Sequence, residues 1–259
     1  METTKSVDFL ERLHRKRMKS IGIDNRKGNK LPLTILVDTS GTMSYNNNID
    51  KLNKGLQDFH QALLSDEKVC DHVDVSVISF GKGGVNLEVD FDDIRKQTFP
   101  VFEAGDNTPL CPAINLAIDN IEDQIDIYQD KSIVSHPPVM VIMTDGEPST
   151  MDYDKEGYPI PLTKKHKEYI QAKSKFDRFV NITNMNVYTI AMGDHIKDTY
   201  FLERFSTGRA NVKKLEDTNI LEFFKVLSQS VTALTKSVPN QKSMLHMEEV
   251  NIFDQFTKK

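Results

Sequence analysis

Asp38, Ser40 and Thr42 stand at alternate positions in Asp38-Thr39-Ser40-Gly41-Thr42-Met43, offering one carboxylate and two hydroxyls. In an extended turn alternate side chains point the same way, so the three oxygens can converge on one point. Such hard oxygen donors suit Mg²⁺ better than a softer metal, with Mn²⁺ and Ca²⁺ as substitutes. A second acid, Asp145, ends the apolar run Val139-Met140-Val141-Ile142-Met143-Thr144 and is followed by Gly146. Two apolar runs that both end in Asp are far less expected by accident than one. Thr108 adds a hydroxyl in Asp106-Asn107-Thr108-Pro109. It either only caps the helix that follows or turns its oxygen to the metal.

Strands and helices must bring these residues together. Leu31, Leu33, Ile35, Leu36 and Val37 make the continuous apolar run of a strand buried in a parallel sheet, and Val139–Thr144 makes a second. An acid at the carboxyl end of such a strand lies where α/β folds place their ligands. Asn46 to Leu64 has helical spacing, with one of its asparagines as cap and Leu52, Leu56, Phe59, Leu63 and Leu64 on one face. Val73 to Phe80 alternates as a strand, Gly81–Gly84 is a tight turn, and Val85 to Phe91 is an antiparallel hairpin partner. That glycine turn joins two strands and lacks phosphate-loop spacing. The pattern further predicts helices from about Pro109 to Tyr128, Lys164 to Asn181, Asp198 to Phe205 and Asn219 to Leu234, with strands at Met185–Gly193 and Val212–Leu215. Asp92 to Phe102 and the stretch after Pro148 read as irregular polar segments. Strands alternating with helices predict one doubly wound α/β domain: a mostly parallel six-stranded sheet with one antiparallel edge strand and helices on both faces.

Composition sets the outer bounds. The 259 residues are 38% hydrophobic and 27% charged, ordinary for a soluble domain. A net charge of −5 gives no global case for nucleic acid or membrane as partner. Cys70 and Cys111 fit neither a disulfide framework nor a zinc spacing. Cys111, at a helix start, has either a lowered pKa or, with no His partner evident, the character of an inert buried thiol. The seven histidines are scattered and read as surface residues, and Met140, Met143 and Met192 read as core. Residues 1–30 form a basic segment, read as a short helix on the domain edge rather than a signal peptide. Residues 31–236 form the domain, and 237–259 a tail too apolar to be free, packed on the domain or a partner. A cytoplasmic location is the expectation.

Asp38-Thr39-Ser40-Gly41-Thr42-Met43, then Thr108 before a helix, then Thr144-Asp145-Gly146, resembles the metal-ion-dependent adhesion site (MIDAS) of von Willebrand factor A (VWA) domains. Thr42 stands for that family's second serine, and Asp106-Asn107-Thr108 for its Gly-Gly-Thr; an asparagine tolerates the left-handed backbone this needs. Thr144-Asp145-Gly146-Glu147-Pro148 and the Ser76–Phe80 strand are most similar to bacterial TerY-like tellurium-resistance proteins. The resemblance implies metal ligation by Asp38, Ser40 and Thr42, with Thr108 and Asp145 binding directly or through water. It implies an adaptor in a stress or tellurite-resistance system, whose partner supplies a Glu or Asp to the metal, such as a kinase or phosphatase of the same operon.

Two other readings compete. A Mg²⁺-dependent phosphohydrolase of haloacid dehalogenase type would use Asp38 as nucleophile, but needs a second acid where Ser40 stands. A metal-independent scaffold would bind through its surface and tail. The full set of five oxygen-bearing residues argues against it.

Overall fold

Leu31–Thr39 (β1) is buried over its whole length and forms the centre of the sheet. In the computed structural model the described residues are 28–192, 196, 198–207, 212–215 and 220–236, with 213 and 215 described by their backbone alone. The basic segment ahead of residue 28 and the tail after residue 236 lie outside them, so the expectations placed there are not addressed.

Strands β2 (Val73–Gly81), β3 (Gly84–Val89), β4 (Val139–Thr144), β7 (Asn186–Met192) and β8 (Val212–Leu215) complete a six-stranded sheet of order β3-β2-β1-β4-β7-β8. Five of these strands run parallel, and β3 pairs antiparallel with β2 at one edge. The chain leaves β1 first toward β2 and later returns to β4 on its other side. The order of strands therefore reverses between β1 and β4, the place where open α/β sheets hold ligands.

Both faces of the sheet are covered. Leu33, Ile35 and Val37 face a core shared with helices α1 (Asn48–Leu64), α2 (Glu67–His72) and α6 (Ile220–Thr235). Leu36, Ile78, Met140 and Ile142 face a second core shared with α3 (Leu110–Asp130), α4 (Lys167–Thr183) and α5 (Tyr200–Arg204). The alternation of side chains along β1 and β4 feeds both cores, which is why these two strands read as continuous rather than alternating apolar runs. Met140, Met143 and Met192 are fully buried core residues. No helix among the described residues is long and apolar enough to cross a membrane.

Several expectations are corrected. Glu67–His72 is a helix the pattern missed, although Asp66 caps it by accepting from the N–H groups of Lys68 and Val69. The segment read as a polar loop after Pro148 contains a separate hairpin, β5 (Ser149–Tyr153) with β6 (Pro159–Pro161). Asn47 precedes α1 but makes no side-chain cap; with Asn46 it takes a left-handed conformation that turns the chain into the helix. Not all histidines are on the surface. His60 is buried, stacked on Phe99 at 4.5 Å, with Nε2 3.1 Å from the Ile94 carbonyl, and His136 is buried beneath the start of β4. Lys30, expected in a polar loop, is buried and donates to the Asp71 carbonyl.

Gly55 decides how α1 meets α6. A Cβ there would lie 2.1 Å from Cδ2 of Phe224. The ring also packs on Phe59, with centroids 6.1 Å apart. Glycine in a helix interior costs about 1 kcal/mol relative to alanine, so an unhindered Gly55→Ala would stabilise the chain. Here the overlap reverses the sign: Gly55→Ala is expected to destabilise by ~1–3 kcal/mol, measured by urea unfolding. Combining it with Phe224→Leu should recover part of that loss. A stabilised Gly55→Ala variant would contradict this packing.

Candidate metal centre

Asp38 is the penultimate residue of β1 and is completely buried. Ser40 N–H donates to its Oδ1 at 2.7 Å, and the Thr144 hydroxyl donates to its Oδ2. Thr144 ends the neighbouring strand, and parallel pairing of Val37 with Met143 sets it beside Asp38. Asp145, the next residue, is therefore delivered to the same edge, also fully buried. It accepts from Thr42 Oγ1 at 2.6 Å and from Asn48 Nδ2 at 3.1 Å. Ser40 Oγ and Thr42 Oγ1 lie 3.0 Å apart.

Thr108 reaches this cluster from a third loop. Of the two readings of Thr108, the helix cap is not seen: the helix begins at Leu110, with Pro109 in the cap position and no side-chain cap. Ser149 holds Thr108 instead: Thr108 N–H donates to Ser149 Oγ at 2.9 Å, and Ser149 N–H donates to the Thr108 carbonyl at 3.0 Å. Gly146 shows where the hydroxyls meet. A Cβ at that residue would stand 3.0 Å from Thr42 Oγ1, 3.1 Å from Thr108 Oγ1 and 3.5 Å from Ser40 Oγ. Three neutral oxygens thus surround one point next to two carboxylates. Asp38, Ser40, Thr42, Thr108 and Asp145 all lie within this one constellation.

The loops are stitched together by backbone. The Thr39 carbonyl accepts from Gly105 N–H at 2.8 Å and Lys82 N–H at 3.2 Å, and Gly41 N–H donates to the Asp106 carbonyl at 3.1 Å. The left-handed residue of the Asp106-Asn107-Thr108 turn is Asp106, at φ 62°, rather than Asn107. Its carboxylate accepts from Gly83 N–H at 2.9 Å, which ties it to the β2–β3 turn. Asn107 is buried, its amide donating to the Thr150 carbonyl at 2.8 Å.

Burial, then the neighbouring Asp145, push the Asp38 carboxyl up to about 7, against the lowering effect of the bonds from Thr144 and Ser40. Asp38 and Asp145 are both buried, and the ionised form of each is favoured by hydrogen bonds and by any positive charge brought near it. An oxygen set of this kind fits a hard divalent cation, which would supply that charge and hold further oxygens in its remaining positions. Among the described residues no cluster of three or more His, Cys, Asp or Glu competes as a metal site. Thiol chemistry recedes as well, since burial pushes Cys111 up to about 12.

Sequence reasoning missed three supporting residues. Thr144 and Asn48 each hold one carboxylate, and Ser149 holds Thr108. Only Thr144 carried a readable signal, its place directly before the strand-ending acid.

No protein-family model and no curated protein sequence matches the chain. Solved structures do. The pilus adhesin SpaC of Lactobacillus rhamnosus GG superposes with a TM-score of 0.58 at 12% identity, covering 79% of this chain, which spans 31% of the adhesin. The vWF domain of the type V pili tip protein Mfa5 of Porphyromonas gingivalis gives 0.56 at 11% identity, covering 83% of this chain and 99% of that one. Proximal thread matrix protein 1 of the mussel byssus, solved with a zinc-occupied MIDAS motif, gives 0.51 at 14% identity, covering 79% of this chain and 48% of its own. The chain has the fold of a VWA domain.

Proposed function

We propose that the chain is a divalent-metal-dependent protein-interaction module whose partner completes the metal's coordination with a Glu or Asp. The observation that carries this reading is the convergence of the Ser40, Thr42 and Thr108 hydroxyls beside Asp38 and Asp145. The two carboxylates at most balance a divalent cation and the hydroxyls add no charge, so the ion can still draw a further anionic oxygen into an open coordination position. Mg²⁺ is the preferred ion, because it keeps waters that an incoming carboxylate can replace. Mn²⁺ and Ca²⁺ are the substitutes to test against it.

A phosphohydrolase is the weaker reading. Its nucleophile would be Asp38, which is fully buried with both oxygens already accepting hydrogen bonds. Ser40 also stands where the general acid is needed. The module is proposed to work in the cytoplasm. Its place in a tellurite or stress response, beside a kinase or phosphatase, rests on the likeness of Thr144–Pro148 and Ser76–Phe80 to TerY-like proteins.

Asp38→Ala is expected to abolish Mg²⁺ uptake in calorimetry and Mg²⁺-dependent capture of partners, read by mass spectrometry with and without chelator, while circular dichroism stays unchanged. Equal capture by the variant would sink the reading. Thr144→Val and Asn48→Ala, which loosen one carboxylate each, are expected to weaken Mg²⁺ binding by ~10–100-fold.

The pH dependence follows from Asp38. Its carboxyl in the folded metal-free chain titrates near 7, above the ordinary value of 3.8. Between those values the folded state holds a proton that the unfolded chain has released, so stability of the metal-free form falls as pH rises through this window. Below about pH 7, protons on Asp38 compete with the metal. The gain in melting temperature on adding Mg²⁺ should therefore widen from pH 6 to pH 8, and Asp38→Asn should remove the widening. A gain that shrinks over this range would contradict the assignment.

A further inference from the structure

A cavity of about 620 Å³ opens above Ser40, Thr42, Thr108 and Gly146. That volume falls within the roughly 300–1,000 Å³ of ligand-binding clefts. Its floor is the oxygen cluster, but its walls are of a different character. Tyr45 stands on one side, and Pro148, Tyr158, Pro159 and Pro161 come from the β5–β6 hairpin and its entry. Tyr158 is 69% exposed and Tyr45 56% exposed, so both residues offer surface to an occupant of the cleft. Asp106 and Glu147 stand at the same cleft.

Building on the metal-dependent reading, we propose that this groove takes an extended partner segment in which a single Glu or Asp is flanked by a proline or an aromatic residue. A cation on the floor requires an anionic oxygen from the occupant. Tyrosine and proline walls offer flat, rigid surface that loses little conformational entropy on contact, the means by which aromatic grooves hold extended proline-containing chains. The Asp106 carboxylate, which lines the cleft and accepts from the neutral Gly83 N–H, repels further negative charge, so a run of acids is disfavoured even though one acid is required. The ion supplies affinity for a carboxylate, and the hairpin determines which one.

The test is a selection of phage-displayed random linear peptides on the full chain in Mg²⁺, with elution by chelator. The expected result is enrichment of peptides with a lone Glu or Asp next to a proline or aromatic residue. A synthetic copy of the enriched sequence should bind Tyr158→Ala and Tyr45→Ala at least about tenfold more weakly. Tyr158→Phe should retain binding, and Mg²⁺ affinity measured by calorimetry should be unchanged in all three variants. Failure to enrich any peptide, enrichment of acidic runs or of acids without a fixed neighbour, or undiminished binding to both alanine variants would overturn the proposal. Absence of Mg²⁺ uptake by the unaltered chain would overturn the metal reading beneath it, an outcome the tyrosine variants cannot produce.

Discussion

Two carboxylates buried side by side at the reversal point of a parallel sheet set the terms for everything around them. Asp38 and Asp145 share that place because β1 and β4 are parallel neighbours in fixed register. Each acid taken from water needs hydrogen bonds or an opposite charge. The chain provides part of this itself, through Ser40 N–H and Thr144 for one acid and through Thr42 and Asn48 for the other. A divalent cation would bring positive charge to both acids, and that is the physical basis for reading the site as a cation site. Gly146 keeps the adjoining space clear of a side chain, and Ser149 and the Thr39 carbonyl fix the loops that border it.

The residues of the site were legible because they interrupt strong patterns. A β-branched run that stops at Asp38 or Asp145 announces both a strand and its carboxyl end. The edge hairpin was legible for the same reason, from alternation in Val73–Phe80 and the glycines after it. The β5–β6 hairpin was not, since Ser149–Pro161 is polar, proline-bearing and pairs only with itself. Thr108 carried two readings that local pattern could not separate, helix cap or site hydroxyl. Its position before Pro109 reads correctly as a helix start, yet the hydroxyl is not spent on the helix, because Ser149 secures the backbone from a segment 41 residues away in sequence. The left-handed position was assigned to Asn107 for a comparable reason: the conformation of Asp106 and its partner Gly83 are fixed by tertiary packing that local propensity does not encode.

Burial also explains why other reactive groups stay silent. Cys111 begins a helix, where a thiol can be activated, but lies wholly inside the second core. His60 is held between Phe99 and the Ile94 carbonyl. From sequence alone these residues resemble candidates for chemistry; in the fold they are packing elements. The same burial that inactivates them makes Asp38 responsive to charge, because it stands where the loops, not the helices, close over it.

The hairpin that walls the groove is closed at its base by Leu162 N–H donating to the Pro148 carbonyl at 2.9 Å, and is tied to the domain by Ser149 with Thr108 and by Thr150 with Asn107. Its strands pair with each other and with no strand of the main sheet. Beyond that base its length and sequence can drift without disturbing either core or the five oxygen donors. On the proposed reading, ion binding and partner preference fall in separable parts of the chain, and remodelling this one hairpin would exchange the ligand while the charge-bearing floor stays as it is.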